Sequence, residues 1–231
     1  MARKDKHVAK HFDRAAGTYD RSITVRHYQS RTLTLILERM PIKSGMRVLE
    51  LGCGTGTGTL AVAARLNGTG KVTGLDVSPK MLEQARMKLS QTGPSNVKFL
   101  LASAHDLDYD TTFDVVFSTN SFHHFSDKDD IFRRVWRALK PNGCFLVQDF
   151  CSDFLLMRTV DLLGKLGERA HVGTTTSRQL QRLYRNSGFA EVEVTALKLN
   201  RFWGIMIGRG IKPESAFGPE DRKEEQWSDH G

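Results

Sequence analysis

Long apolar runs are missing from this 231-residue chain, and no stretch approaches the roughly 20 residues needed to span a bilayer. The N-terminal stretch MARKDKHVAKHFDRAAGTYD holds no apolar core of the secretory type. Cysteine is scarce: only Cys53, Cys144 and Cys151 occur, and no CxxC spacing joins them. That excludes a disulfide framework and leads us to expect reduced thiols and a cytoplasmic location. No run of five or more basic residues appears, although Lys and Arg outnumber Asp and Glu by 34 to 26. A formal charge of +8 could serve nucleic acid, an acidic substrate or an anionic membrane surface. Because the bases are mixed with acids throughout, a solvated basic surface is the simpler reading. His7 and His11 have the spacing of a metal pair on a helix. No third ligand of the right type accompanies them, so no metal is expected.

What is present is organised around residues 46–64, MRVLELGCGTGTGTLAVAA. A short apolar run leads into Gly52, Gly54, Gly56 and Gly58, and then into a helix-forming stretch. Glycines there admit positive φ and let a ligand approach the main chain, with helix amides pointing into the same space.

Around this element the chain alternates regularly. Helices are predicted over 7–16 and 22–40, separated by a break at Gly17-Thr18-Tyr19-Asp20 and stopped by Pro41. KVTGLD reads as a strand, and PKMLEQARMKLS as a helix capped by Ser78 with Pro79 in its first turn. NVKFLLA and FDVVFST are strands, 129–139 is a helix closed by KPNG, and CFLVQDF is a further strand. An apolar helix over 153–169 and a helix over 177–187 ending at Gly188 precede two strands, AEVEVTAL and FWGIMI. The alternation predicts a mostly parallel sheet with helices on both faces, and the last two strands an antiparallel edge. Polar residues dominate from 212 onward, which reads as a poorly ordered tail.

The ligand is narrowed by what flanks the glycines. A phosphate loop needs a Lys after the last glycine, and none follows. The dinucleotide pattern fits poorly, because its sixth position falls on Thr57 or Thr59. Glu50, two positions before Gly52, disfavours a pyrophosphate and suits a cationic group. Asp76 ends the second strand, where a carboxylate can accept both hydroxyls of a ribose. An adenosine without phosphates and with positive groups fits both, as S-adenosylmethionine does; a dinucleotide oxidoreductase stays as a distant alternative.

The runs VLELGCGTGTGTLAVA, VTGLDVSPKMLEQAR, FDVVFSTNSFHHF and LKPNGCFLVQDF together resemble the class I S-adenosylmethionine-dependent methyltransferases. The likeness is greatest to the branch that holds the quinone-biosynthesis and related small-molecule enzymes, and it covers residues 12–210. The resemblance implies a Rossmann-like, doubly wound seven-stranded α/β sheet with N-terminal lid helices. It divides the chain into a lid (1–40), a cofactor-binding core (41–210) with a helical cover at 151–176, and a tail (211–231). It implies that Glu50, Gly52, Cys53, Gly54 and Gly56 line the methionine part of S-adenosyl-L-methionine, and that Asp76 holds the ribose. Val77 and Met81 would pack on the adenine beside Ser103 and Ala104. Relatives usually carry an acid where Ser103 stands; Asp106 is close enough to substitute. Thr119, Asn120 and Ser121 would face the reactive methyl, with Tyr19 closing over it.

Methyl transfer asks the protein mainly to align the acceptor and exclude water, with a general base only when the acceptor is protonated. Candidates for that base are His123 and His124, one of which commonly packs between sheet and helix in relatives, then Tyr19 and Asp149. Asp149 could instead orient the substrate. The covering segment offers Phe154, Leu155, Leu156, Met157, Leu162, Leu163 and Leu166 as core or pocket wall. Arg158, Arg169 and His171 could meet an anionic substrate or simply be solvated. A small-molecule acceptor is expected, with no nucleic acid and a monomer or homodimer. A protein or nucleic-acid methyltransferase is the alternative, opposed by STNS standing where NPPY or DPPY would mark amino methylation. A non-catalytic partner subunit of the same fold is another.

Overall fold

RVLEL is short, apolar and bounded by a glycine, and it forms β1 (Arg47–Leu51), a strand inside a seven-stranded sheet. A computed structural model describes residues 3–154, 173–199 and 204–214. The other strands are β2 (Lys71–Asp76), β3 (Val97–Leu101), β4 (Phe113–Thr119), β5 (Leu139–Phe150), β6 (Ala190–Lys198) and β7 (Gly204–Ile211). Their spatial order is β3-β2-β1-β4-β5-β7-β6. The first five pair in parallel, whereas β7 runs against both β5 and β6. The expected antiparallel pairing is therefore present, with β7 inserted next to the edge and β6 outermost. Strand order reverses between β1 and β4, and that switch opens a crevice at their carboxyl ends.

Helices α1 (Arg3–Tyr19) and α2 (Ile23–Leu37) precede the sheet. The connections carry α3 (Thr57–Leu66), α4 (Pro79–Thr92) and α5 (Lys128–Ala138), and α6 (Ser177–Asn186) leads into β6. Strand side chains alternate between two apolar layers, as period-2 geometry requires. Leu49, Leu51, Val116, Phe145 and Val147 pack with Phe132, Val135, Leu180 and Tyr184 of α5 and α6. Val48, Val115, Phe117 and Leu146 face Ile36, Leu37, Val62 and Leu66 of α2 and α3 on the other side. Each fully buried Leu or Phe contributes about 1.5–3 kcal/mol, so the two layers clamp β1 and β4 and fix where their ends lie.

Local signals hold well at α4. Ser78 caps it by accepting the Met81 N–H at 3.1 Å, and Gly93 closes it in the left-handed region with φ 72°. Three expectations need correction. The break at Gly17 does not occur: α1 runs through Gly17 and Thr18 to Tyr19. Gly17 costs a helix interior about 1 kcal/mol, an amount readily outweighed by docking of the whole helix. Residues of KPNG belong to β5, where Leu139 pairs with Phe113 before a register shift. Lys212 is only 7% exposed and donates from Nζ to Leu139 O at 2.8 Å, so ordered chain extends past the expected start of the tail. The predicted helix over 153–169 falls almost entirely outside the described residues, as do Arg158, Arg169 and His171 of the covering segment. No described helix is long and apolar enough to cross a membrane.

Candidate active site

The carboxyl ends of β1, β2 and β4 open into one cavity, roofed by α1 and α2. The chain leaves β1 through a tight turn in which Gly52 and Cys53 both donate N–H bonds to Leu75 O, at 2.8 and 3.0 Å. Gly52 has φ 69°, and a Cβ there would lie 2.5 Å from Ser121 Oγ, so only glycine fits. The turn delivers Gly54 to Asp76: the Gly54 N–H donates to Asp76 Oδ2 and the Ser78 N–H to Oδ1, each at 2.8 Å. Burial raises the Asp76 carboxyl above its ordinary value, and the Ser78 and Gly54 amides oppose that rise. A carboxylate offers about four acceptor directions, so two such bonds leave capacity facing the cavity.

Glu50 projects from β1 into the cavity wall at 1% exposure. Thr59 donates to its Oε2 at 2.5 Å and Thr119 to its Oε1 at 3.2 Å. Desolvation pushes this carboxyl up to about 7 although both hydroxyls pull it down. The first turn of α3 passes so close that a Cβ on Gly58 would collide with Glu50 Oε1. Gly58 is thus the residue that lets a carboxylate lie between strand and helix.

Beyond Asp76 the wall is apolar, formed by Val77, Met81 and Ala104, and Ser103 and His105 close that end. Phe12 and Tyr19 of α1 and Gln29 and Leu33 of α2 form the roof. Tyr19 accepts a bond from Gln29 Nε2 at 3.2 Å, and burial, helped by Asp20, raises its phenol pKa. A phenol shifted that way keeps its proton and is suited to donating a hydrogen bond, not to removing a proton. Thr119, Asn120 and Ser121 stand at the end of β4, with Asn120 held at φ 52°.

Most residues expected at the site line this cavity, namely Tyr19, Glu50, Gly52, Cys53, Gly54, Asp76, Val77, Met81, Ser103, Ala104, Thr119, Asn120 and His124. Two do not. Gly56 is the N-cap of α3, set back from the wall. His123 is buried at 8% exposure with Nδ1 at 2.8 Å from Asp149 Oδ1, while its backbone N–H donates to Oδ2 at 2.6 Å. Burial works to raise the Asp149 carboxyl, but His123 and the backbone amides win and hold it below the usual range. The ionised carboxylate accepts only, so His123 donates to it from Nδ1. Asp149 is accordingly engaged with His123. The adjacent His124 lines the cavity and meets Phe12 edge-on at 5.0 Å between ring centres.

Asp106 does not substitute for the missing acid either. It is exposed, and its Oδ2 accepts the Ser103 N–H at 3.3 Å to cap a short 3-10 turn. The carboxylate beside Ser103 belongs to α1: Ser103 Oγ donates to Asp5 Oδ2 at 2.7 Å. Asp5, Val8, Gln29 and Leu33 also line the cavity, although no motif in the sequence marks them. Only the acids of α1 carry a usable signal, because a carboxylate on the buried side of a helix must have a partner.

The donor set tests the cofactor. Charged groups at the wall are carboxylates, and among the described lining residues none is Lys or Arg. A pyrophosphate would lie against the buried Glu50, whereas an ammonium and a ribose suit Glu50 and Asp76. S-adenosylmethionine fits; a dinucleotide does not.

Comparison with known proteins agrees. A family model described as a methyltransferase domain matches residues 42–195. The chain is 25% identical over 212 residues to demethylmenaquinone methyltransferase of Lactococcus lactis, covering 82% of this chain and 84% of that one. It is 32% identical over 211 residues to 27-O-demethylrifamycin SV methyltransferase of Amycolatopsis mediterranei, covering 90% and 70%. The crystal structure of the YcgJ protein of Bacillus subtilis superposes with TM-score 0.70 at 23% identity, covering 80% of this chain and all of that one. A methyltransferase model over two-thirds of the chain, on a fold whose strand ends present Glu50 and Asp76, places this protein in the class I S-adenosylmethionine-dependent methyltransferases.

Proposed function

We propose that this chain transfers the methyl group of S-adenosylmethionine to a small-molecule acceptor that enters beneath α1 and α2. The carrying observation is a roofed cavity whose charged wall is acidic, so that it takes a cationic cofactor and leaves an apolar approach for the acceptor. When bound, the cofactor supplies an activated methyl for in-line displacement at its sulfonium. The residues do the rest. Glu50 balances the ammonium, Asp76 accepts the ribose hydroxyls, and Gly52, Cys53 and Gly54 let the methionine part lie against the main chain. Val77, Met81 and Ala104 sandwich the base. Thr119 and Asn120 border the acceptor side. Phe12, Tyr19 and Leu33 exclude water, which would compete with the acceptor.

Tyr28 of α2 stacks on Phe150 at the end of β5, with ring centres 5.3 Å apart and planes inclined by 17°. Phe150 in turn lies 5.3 Å from His123 between ring centres, so the pair backs the buried histidine. Where the acceptor is a hydroxyl or a carbon acid, its proton passes to His124, the histidine of the pair that reaches the cavity. His123, held by Asp149, positions its neighbour at 3.9 Å between ring centres. Support for a small acceptor also comes from relatives whose names specify a demethylmenaquinone and a demethylrifamycin. No macromolecular partner is needed for this chemistry, and a cytoplasmic monomer or homodimer suffices.

The test is incubation with S-adenosylmethionine labelled in its methyl group, against small-molecule, protein and RNA fractions of a cell extract. Label in an extractable small molecule is the expected result. Label that enters only protein or RNA overturns the proposal.

A further inference from the structure

We infer that Asp5, carried by the lid helix α1 and not by the core, selects the adenine of the cofactor by accepting a hydrogen bond from its 6-amino group. The inference rests on the cofactor reading given above. With the ribose held by Asp76 at the end of β2, the base extends along the apolar wall that starts there, Val77, Met81 and Ala104. At the far rim of that wall stands the Asp5 carboxylate, in a residue 8% exposed, receiving the Ser103 hydroxyl at 2.7 Å. Ser103 has no donor and at most one lone pair left for the base. Its proton is given to Asp5 and its oxygen receives the His105 N–H at 3.1 Å. Asp106 is engaged in turning the chain back on Ser103. Asp5 is the carboxylate that lines this end of the cavity, and a carboxylate has acceptor directions enough to take an exocyclic amine as well as the Ser103 hydroxyl.

A carboxylate accepts and never donates while ionised. It welcomes the amino group of adenine and opposes the 6-oxo group of hypoxanthine, which is also an acceptor. A buried polar group facing the wrong partner discriminates far better than an apolar wall does.

α1 is aligned by two further carboxylates on the same side. Asp13 Oδ1 accepts the Ser78 hydroxyl at 2.7 Å and the Lys80 N–H at 3.2 Å. Asp20, directly after the last turn, accepts the Thr55 hydroxyl on Oδ1 at 2.9 Å, and its Oδ2 lies 2.7 Å from Lys88 Nζ. These clasps set the height of α1 over the cavity and so the position of Asp5. Base selection is complete only when α1 is docked.

The experiment is isothermal titration of the full chain with S-adenosylhomocysteine and with S-inosylhomocysteine, whose base carries oxygen in place of the amine. The wild-type protein should prefer the adenosyl compound by about tenfold or more, the scale of a hydrogen bond to a charged group. Asp5→Asn offers an amide that can turn its NH2 to an oxo group, so it should collapse that preference. Asp13→Asn loosens the helix without touching the base and should weaken both ligands alike. If Asp5→Asn fails to fold, Asp5→Ser supplies the same ratio. A ratio left at the wild-type value in the Asp5 variants, or both ligands weakened equally, overturns the inference while the cofactor reading stands. Wild-type protein that binds neither compound overturns the cofactor reading and the inference with it.

Discussion

Replacing Glu50 by Gln should make the ligand-free protein more stable and the cofactor weaker, and both effects follow from one carboxyl. Glu50 sits in the sheet at 1% exposure, and its pKa moves from an ordinary 4.5 to about 7. The folded state therefore holds the proton more tightly than the unfolded chain does. Stability is highest below the unfolded value and falls as pH rises from about 4.5 to about 7, after which the full penalty stands. At about 1.4 kcal/mol per pKa unit, the span amounts to roughly 3 kcal/mol above pH 7. Gln has the same shape and no charge, so Glu50→Gln should regain most of that at pH 8. At pH 5 the wild-type carboxyl is already neutral, and the two proteins should lie within about 1 kcal/mol. In the cofactor placement proposed above, the ammonium reverses the account by pairing with the carboxylate. Wild-type affinity for S-adenosylhomocysteine should rise with pH up to about 7, and Glu50→Gln should lose about tenfold or more. Urea unfolding of both proteins at pH 5 and pH 8, with and without S-adenosylhomocysteine, reads both effects. Taking the difference between variant and wild type cancels the other titrating groups. A difference that is the same at both pH values, or a variant that binds as well as wild type, would refute the assignment of a strained carboxyl kept for the ligand.

Asp76→Ala should abolish measurable S-adenosylhomocysteine binding by calorimetry, because it removes the ribose acceptor and frees the Gly54 and Ser78 amides; unchanged affinity would sink the ribose role. Gly58→Ala places a methyl against Glu50 Oε1 between a strand and a helix that cannot separate. A loss of about 1–3 kcal/mol in urea unfolding and weaker ligand binding are expected, as overpacking produces. Lys212→Met keeps the stem but loses the bond to Leu139 O and the ammonium 4.2 Å from the centre of the Trp136 ring. A decrease of about 1–2 kcal/mol is expected by urea unfolding, and no change would mean that the Lys212 ammonium contributes nothing to the fold.

Features encoded within a few residues are legible in the sequence alone. The apolar run leading to Gly52, the Ser78 cap and the alternation of strand with helix are local, and they specify β1, α4 and the crossover architecture. Asp76 is legible because a strand end in such a sheet has one place to point. Contacts between distant segments are not. The bond from Ser103 to Asp5 joins residues 98 apart, and no local pattern signals it. The paired histidines show the same limit: sequence places both after β4, and only packing turns His123 inward to Asp149 while leaving His124 at the cavity. Likewise Lys212 reads as tail, because its partners Leu139 and Trp136 lie far back in the chain.

α1 explains why apolar periodicity understates the lid. Helices are usually recognised by the apolar stripe they bury, and by that criterion α1 reads as short and broken at Gly17. Beside a short apolar face of Val8, Phe12 and Ala16, its docking uses polar contacts. Asp5, Asp13 and Asp20 are eight and seven residues apart, and at 3.6 residues per turn they fall within about 80° of one another around the helix. Each meets a hydroxyl of the core: Ser103 after β3, Ser78 after β2 and Thr55 after β1. Three successive strand ends are thereby tied to one helix. A surface of carboxylates set on hydroxyls releases more readily than an interlocked apolar one, because water can replace each bond as it breaks. Such a surface suits the role proposed for α1, in which it lifts to admit a cofactor and then completes its recognition. For the same reason the continuation of α1 through Gly17 matters: without those last turns Asp20 and Tyr19 would lose their place over Thr55 and the cavity.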